Sequence, residues 1–301
     1  MSTLGVARTP ARPARTGVAR QVLGLFKLRI GFMIMVTALV GMAVAPGATP
    51  SLLQVLVLAF AVLGASAAAG AFNQYVEVDI DRLMARTRGR AFVSGALPHT
   101  RAWLVLIAVL LAVSVGAAWL VLNPIAALYT FLGAFFYGVV YTLWLKRRTR
   151  YNIVIGGLAG SFAVLAGAAA IDPSIGPLAA SLALLLFLWT PPHFWALAIA
   201  NPADYAAAGV PMLPVVVGVE RAARVVLHST IALVAASLLP GFLGAGPVYL
   251  VGAIAGGAHF LQRSWRLAQA PSRATAMAAF FASLVQLSLV LAAAVLDSLM
   301  R

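Results

Sequence analysis

The chain alternates long apolar blocks with short polar connections. The blocks fall at about 24–45, 51–78, 102–122, 124–144, 152–171, 176–198, 222–242, 246–264 and 275–298. Each is close to the roughly 20 apolar residues that an α-helix needs to cross a bilayer. None shows the in–out alternation of a barrel strand. Pro46-Gly47, Asn123-Pro124, Asp172-Pro173 and Pro240-Gly241 punctuate four of the breaks, where proline and glycine interrupt helical geometry. The pattern predicts an all-α, polytopic membrane bundle of about nine transmembrane helices, forming one domain over 23–301 behind a disordered basic tail over 1–22.

Composition agrees with lipid as the solvent. Hydrophobic residues make up 63% of the chain and charged residues 9%, too little charge to cover a water-soluble surface. The net charge of +14 does not mark a nucleic-acid binder, because the cations collect between the apolar blocks. Arg8, Arg12, Arg15, Arg20, Lys27 and Arg29 precede or open the first block; Arg82, Arg86, Arg88, Arg90 and Arg101 follow the second. Lys146, Arg147, Arg148 and Arg150 follow the fourth, Arg221 and Arg224 the sixth, and Arg263, Arg266 and Arg273 the eighth. The connections after blocks one, three, five and seven hold no Lys or Arg. Nine crossings with a cytoplasmic N-terminus and a C-terminus on the opposite side satisfy the positive-inside rule. A bacterial inner (plasma) membrane is the expected location. The Arg-rich, acid-free N-terminus leaves a mitochondrial inner membrane as the alternative. With no Cys, the chain has no disulfides.

Seven acids remain: Glu77, Asp79, Asp81, Asp172, Asp204, Glu220 and Asp297. Three lie within five residues, in Asn73-Gln74-Tyr75-Val76-Glu77-Val78-Asp79-Ile80-Asp81. On a helix, positions four apart share a face, so Asn73, Glu77 and Asp81 form one oxygen-bearing stripe and Asp79 points elsewhere. Carboxylates beside hydrocarbon are costly and mark functional sites. One amide and two carboxylates offer the hard oxygens that suit Mg²⁺. A lone acid at a helix end would simply pair with a neighbouring arginine; a three-member stripe in an acid-poor chain points to a site. Arg86, Arg88 and Arg90 follow at once, and arginine forks match phosphate oxygens.

A second polar cluster is expected on the same membrane face: Trp189-Thr190-Pro191-Pro192-His193-Phe194-Trp195, then Asp204-Tyr205 and Pro211-Met212-Leu213-Pro214. Pro191 and Pro192 predict a kink, and Asp204 could give an oxygen to a second metal. Lys146 and Arg147 add cations there. His193 reads either as a satisfied core histidine or as a contact for substrate or water. Asp172 and Asp297 read as ordinary interfacial residues on the far side. Glu220 reads as a helix N-terminal acid.

These motifs resemble the UbiA superfamily of intramembrane prenyltransferases, and its heme branch in particular, from about Lys27 to about Gly218. The resemblance rests on Asn73 to Arg90, on Tyr141 to Arg147 with Asn152 to Gly157, and on Trp189 to Trp195 with Asp204-Tyr205 and Gly209 to Pro214. It implies a Mg²⁺-dependent transfer of farnesyl from farnesyl diphosphate to the vinyl group of heme b, which is substrate and not cofactor. Asn73, Glu77, Asp81 and Asp204 would be the catalytic metal ligands. Arg86, Arg88, Arg90, Lys146 and Arg147 would bind diphosphate, and His193 would touch heme or water. A downstream heme A synthase or terminal oxidase would be a partner. The chain departs from the pattern at Glu77 (usually Asp), Ala91 (usually Pro), Ser161 to Val164, Asn201, and Ala203, where a second acid is common. Rival readings are a prenyltransferase acting on a quinone precursor or other aromatic, a membrane transporter, and a non-catalytic assembly factor.

Overall fold

Helices begin where the sequence supplies caps or prolines. The computed structural model describes residues 18–300; Arg8, Arg12, Arg15 and Arg301 lie outside the described residues, as does most of the expected tail. All regular structure among the described residues is helical. The first block is not one straight helix. It divides into α1 (Val18–Leu25) and α2 (Leu28–Val44), which meet at a 46° bend. α1 therefore starts inside the segment expected to be a disordered tail.

α3 (Leu52–Val76) opens with a capping box, Ser51 and Gln54 each satisfying the other's backbone N–H. It stops one residue before Glu77, and α4 (Val78–Leu83) follows. α5 (Ala102–Val121) then crosses to α6 (Pro124–Phe135), whose cap is Asn123 with proline at the first position. α6 runs directly into a π-helix over Phe136–Leu145. The remaining elements are α7 (Asn152–Gly156), α8 (Leu158–Ala169), α9 (Pro177–Ala200), α10 (Pro202–Ala207), α11 (Leu213–Val217), α12 (Val219–Ala236), α13 (Leu239–Phe242), α14 (Pro247–Gln269) and α15 (Arg273–Leu299).

A helical segment thus stands at each of the nine expected positions. Seven are long and apolar enough to cross a membrane, or eight if the bent α1–α2 pair is one span. α14 falls short because His259, Gln262, Arg263 and Arg266 occupy its later turns. α9 is the axis of the bundle, with 72% of its apolar window buried, whereas α5 has 17% and faces outward. Exposed Val105, Val109, Val113, Leu120 and Phe60 are what a lipid-solvated surface requires.

In lipid, helices gain little from apolar burial against each other and rely on close packing of small residues. A methyl at Gly167 would collide with the carbonyl of Ala38, and one at Gly41 with that of Val164. α2 and α8 are therefore in backbone contact. Gly256 plays the same part between α14 and α15, 3.0 Å from the Cα of Gln286 as measured from an added Cβ.

α9 passes through Pro191 and Pro192 as one helix without a break; its neighbours on every side hold it in register, and Thr190 donates to the carbonyl of Leu186 at 3.0 Å. Asp297, expected to be an ordinary interfacial acid, has a structural role. It is buried, and its carboxylate accepts from the N–H groups of Gly246 at 2.8 Å and Tyr249 at 3.4 Å, capping the start of α14 from another helix. Asp172 is half-buried and closes a local turn with Ser174. Glu220 lies in the first turn of α12, as expected.

Candidate active site

The stripe survives the break at Glu77. Glu77 leaves helical geometry (φ −101°, ψ 18°), yet its N–H still bonds the carbonyl of Asn73 and its carbonyl still accepts from Asp81 N–H. Spacing by four is therefore kept across the joint. Asn73, Glu77 and Asp81 are each only 2% exposed. Asp79, one residue off the stripe, has a side chain 63% exposed. The separation expected from the sequence is realised.

Each stripe residue holds a cation. Lys146 Nζ lies 2.5 and 2.6 Å from the two oxygens of Glu77. One guanidinium nitrogen of Arg90 lies 2.8 and 2.6 Å from those of Asp81. Lys27 Nζ donates to Asn73 Oδ1 at 2.6 Å and to the Tyr137 hydroxyl at 3.0 Å. Asn73 turns its other end to Thr142, donating at 3.0 Å, so its oxygen faces the cationic side.

The π-helix explains how Lys146 arrives. Its hydrogen bonds run five residues back, as Lys146 N–H to Tyr141 C=O shows, so residues four or five apart line up on one face. Tyr137, Thr142 and Lys146 consequently face α3, while the Tyr141 ring lies against Gly156 of α7. Tyr137 and Tyr141 stack at 5.8 Å, and the ammonium groups of Lys27 and Lys146 lie 5.5 and 5.9 Å from their ring centres. Ring faces attract cations at such distances. A π-helix this long is uncommon, and π segments recur at functional sites.

Lys27 was read from the sequence only as a topogenic charge. In the structure it sits at the α1–α2 bend in the left-handed region (φ 48°, ψ 41°), a conformation that costs a non-glycine residue energy. Gln74 fixes the bend by donating to the carbonyls of Gly24 and Leu25 at 2.9 and 3.0 Å. The lysine stem runs past Gly70 on α3. The signal was available: a lysine inside an apolar block is a functional candidate. Tyr137 and Thr142 gave no such signal, because only the π register brings them to Asn73.

Other expected residues divide. Asp204 is half-buried on α10, and the neighbouring Tyr205 is buried. Burial raises the pKa of the Tyr205 hydroxyl, and the nearby Arg86 charge opposes the rise while Glu77 adds to it. α10 thus lies within electrostatic range of Glu77. Arg88 is exposed on the loop beyond α4. Arg147 does not reach the stripe. It forms a bidentate pair with Asp79 at 2.7 Å for both bonds, and these bonds hold the Asp79 carboxyl below the usual range. The pair clips α4 to the end of the π-helix.

His193 is buried and sandwiched between Trp189 (4.2 Å) and Phe280 (4.4 Å). Its Nδ1 lies 2.6 Å from the Ser283 hydroxyl, which itself donates to the Phe280 carbonyl. The serine oxygen is then the acceptor, and Nδ1 carries the proton. Trp189 Nε1 donates to the backbone of the same serine at 2.9 Å.

A buried stripe of hard oxygens paired with cations stands at one end of an apolar helical bundle, an arrangement that can hold both a divalent cation and an anionic group. The chain belongs to the UbiA prenyltransferase family, whose model matches residues 34–287. It is 53% identical over 285 residues to protoheme IX farnesyltransferase 2 of Paramagnetospirillum magneticum, covering 95% of this chain and 99% of that one. Its fold matches a structure of digeranylgeranylglyceryl phosphate synthase with a TM-score of 0.78 at 18% identity, covering 94% and 99% of the two chains. It also matches a UbiA homologue from Archaeoglobus fulgidus bound to DMAPP and Mg²⁺, with a TM-score of 0.72 at 16% identity, covering 90% and 99%. The chain is a membrane prenyltransferase.

Proposed function

We propose that this enzyme transfers the farnesyl group of farnesyl diphosphate to a vinyl group of heme b, with addition of water, giving the hydroxyethylfarnesyl side chain of heme o and free diphosphate. The carrying observation is the buried Asn73–Glu77–Asp81 stripe, each member of which holds a cation within 2.8 Å. The name of the Paramagnetospirillum relative supports the acceptor and the prenyl length.

The stripe fits Mg²⁺. Among the described residues no three His, Cys, Asp or Glu side chains cluster as a metal cage. Magnesium, however, commonly takes one or two carboxylates and fills its shell with water and substrate phosphate. Asn73, Glu77 and Asp81 present oxygen, not nitrogen, toward positive charge, and the Archaeoglobus homologue binds Mg²⁺ with its prenyl diphosphate. Those three residues would hold the ion, with Asp204 supplying a further oxygen. When bound, Mg²⁺ neutralises charge on the departing diphosphate.

The chain's own residues do the rest. Arg86, Arg88, Arg90 and Lys146 bind the diphosphate oxygens, and Lys27, fixed by its bend, reaches the same cluster. Arg147 acts through the α4 clip. The apolar helices hold the farnesyl chain and keep water from the allylic carbon as its C–O bond breaks. His193, with Nδ1 protonated, offers Nε2 to heme or to the water that completes the side chain. The positive-inside distribution supports nine crossings of a bacterial plasma membrane with the N-terminus cytoplasmic. A heme A synthase or terminal oxidase is the expected consumer of the product.

The test is expression in a host that lacks its own heme o synthesis, with extracted hemes identified by mass spectrometry. Heme o should appear with the parent chain and vanish with Asp81→Ala, while that variant is still recovered folded in detergent. Heme o production by Asp81→Ala would sink the site assignment; its absence with the folded parent would sink the acceptor.

A further inference from the structure

The outer surface carries a groove of about 480 Å³ between α12 and α14, lined by Leu227, Ile231, Ala258, Leu261, Gln262 and Trp265. None of these residues belongs to the catalytic stripe. The two helices run antiparallel, with Thr230 and Ser264 hydrogen-bonded at 3.0 Å behind the groove. From Ala258 to Trp265 the floor spans seven residues, about 10 Å along the axis at ~1.5 Å per residue. That is about a third of the ~30 Å hydrocarbon thickness. The groove therefore lies within one leaflet.

Its polarity is graded. At the end where α12 begins and α14 finishes, Arg224 stands one turn beyond Leu227, and Arg266 one turn beyond Gln262 on the same face; both are exposed. Exposed Arg221 and Arg273 and half-buried Arg263 stand at the same end, against one acid, the exposed Glu220, a further turn out. Next inward come the Trp265 ring, 53% exposed, at the depth favoured by amphipathic indoles, and then the Gln262 amide. Deeper still, Ile231, Leu261 and Ala258 are wholly apolar, while Leu227 stands level with Trp265 across the groove, as the Thr230–Ser264 contact requires. Along α14, cation, indole, amide and hydrocarbon follow in the order of phosphate, interface, glycerol ester and acyl chain.

We propose that this groove binds an anionic phospholipid, its phosphate on Arg224 and Arg266, its ester region beside Gln262, and one acyl chain between α12 and α14. Basic pockets between helices at a membrane face recognise acidic headgroups in this manner. A zwitterionic lipid fills the groove but gains less from the two guanidinium groups, because its own ammonium offsets its phosphate.

The full chain, reconstituted in phosphatidylcholine vesicles, receives equal mole fractions of acyl-brominated phosphatidylglycerol or acyl-brominated phosphatidylcholine. Trp265 quenching is read as the difference between parent and Trp265→Phe. The anionic lipid should quench several-fold more than the zwitterionic one. Arg224→Gln/Arg266→Gln should abolish that preference, while Arg224→Lys/Arg266→Lys, which keeps the charges, retains most of it. Equal quenching by both lipids in the parent overturns the proposal. So does a preference that survives in the glutamine variant.

Discussion

Replacing Lys146 with methionine removes the only charge among the described residues that touches Glu77 within hydrogen-bonding distance and leaves the carboxylate 2% exposed. Breaking a buried ion pair from one side costs about 3–5 kcal/mol, because the remaining charge is uncompensated. Here the lower end applies: Lys146 is 12% exposed, and water can follow the vacated stem toward the carboxylate. The expected loss is about 3 kcal/mol, or roughly a hundredfold in the folding equilibrium at ~1.4 kcal/mol per tenfold. Lys146→Met/Glu77→Gln should recover most of it, since neither buried group is then charged, but should not recover prenyl transfer. The measurement is unfolding in mixed micelles of parent, both single variants and the double, read as a double-mutant cycle. If Lys146→Met is as stable as the parent, or the double variant is no better than the single, the pair does not carry the burial of Glu77.

Three further outcomes test other joints of the molecule. Asp297→Ala deprives α14 of the carboxylate that caps Gly246 and Tyr249; a lost cap costs about 1–2 kcal/mol, and Asp297→Asn should cost less on the same unfolding assay, with turnover per folded molecule unchanged in both. The Asp79–Arg147 pair is well exposed, so Asp79→Asn should cost under about 1 kcal/mol at neutral pH. Because Asp79's folded pKa is depressed, its contribution is present above the unfolded carboxylate value near ~4 and fades as pH falls through the lower folded value; stability measured from pH 7 downward should show parent and Asp79→Asn converging at the acid end. Gly167→Val puts a side chain into the Ala38 carbonyl and should prevent α2 and α8 from closing, seen as loss of monodisperse protein in detergent, whereas valine at Gly116, with nothing within 4 Å of an added Cβ, should be tolerated.

Much of the site was legible in the chain because its determinants are local. A helix fixes what lies four residues away, so Asn73, Glu77 and Asp81 had to share a face and Asp79 had to leave it, even though α3 ends between them. The cost of charge in lipid marked the same residues as functional, and the spacing of apolar blocks fixed the helical architecture. Lys146 and Arg147, adjacent in sequence, both read as diphosphate ligands, and the fold gives them different partners. One turns inward to Glu77 and the other outward to Asp79, and only the π register of Phe136–Leu145 decides which.

What the sequence by itself determined is therefore the part governed by short-range geometry and by solvent: a lipid-solvated, all-helical bundle with a stripe of hard oxygens at one end. Tertiary structure decided the long-range pairings. Lys27 meets Asn73 across 46 residues through a strained bend, Lys146 meets Glu77 across 69, and Asp297 caps a helix that starts 51 residues earlier. The physical reason is that cations and carboxylates carry no record of their partner in the chain. In a medium that solvates neither, each is placed by whichever helices pack closely enough to bring opposite charges together, and glycines such as Gly41 and Gly167, at which an added methyl would strike a neighbouring backbone, set that closeness.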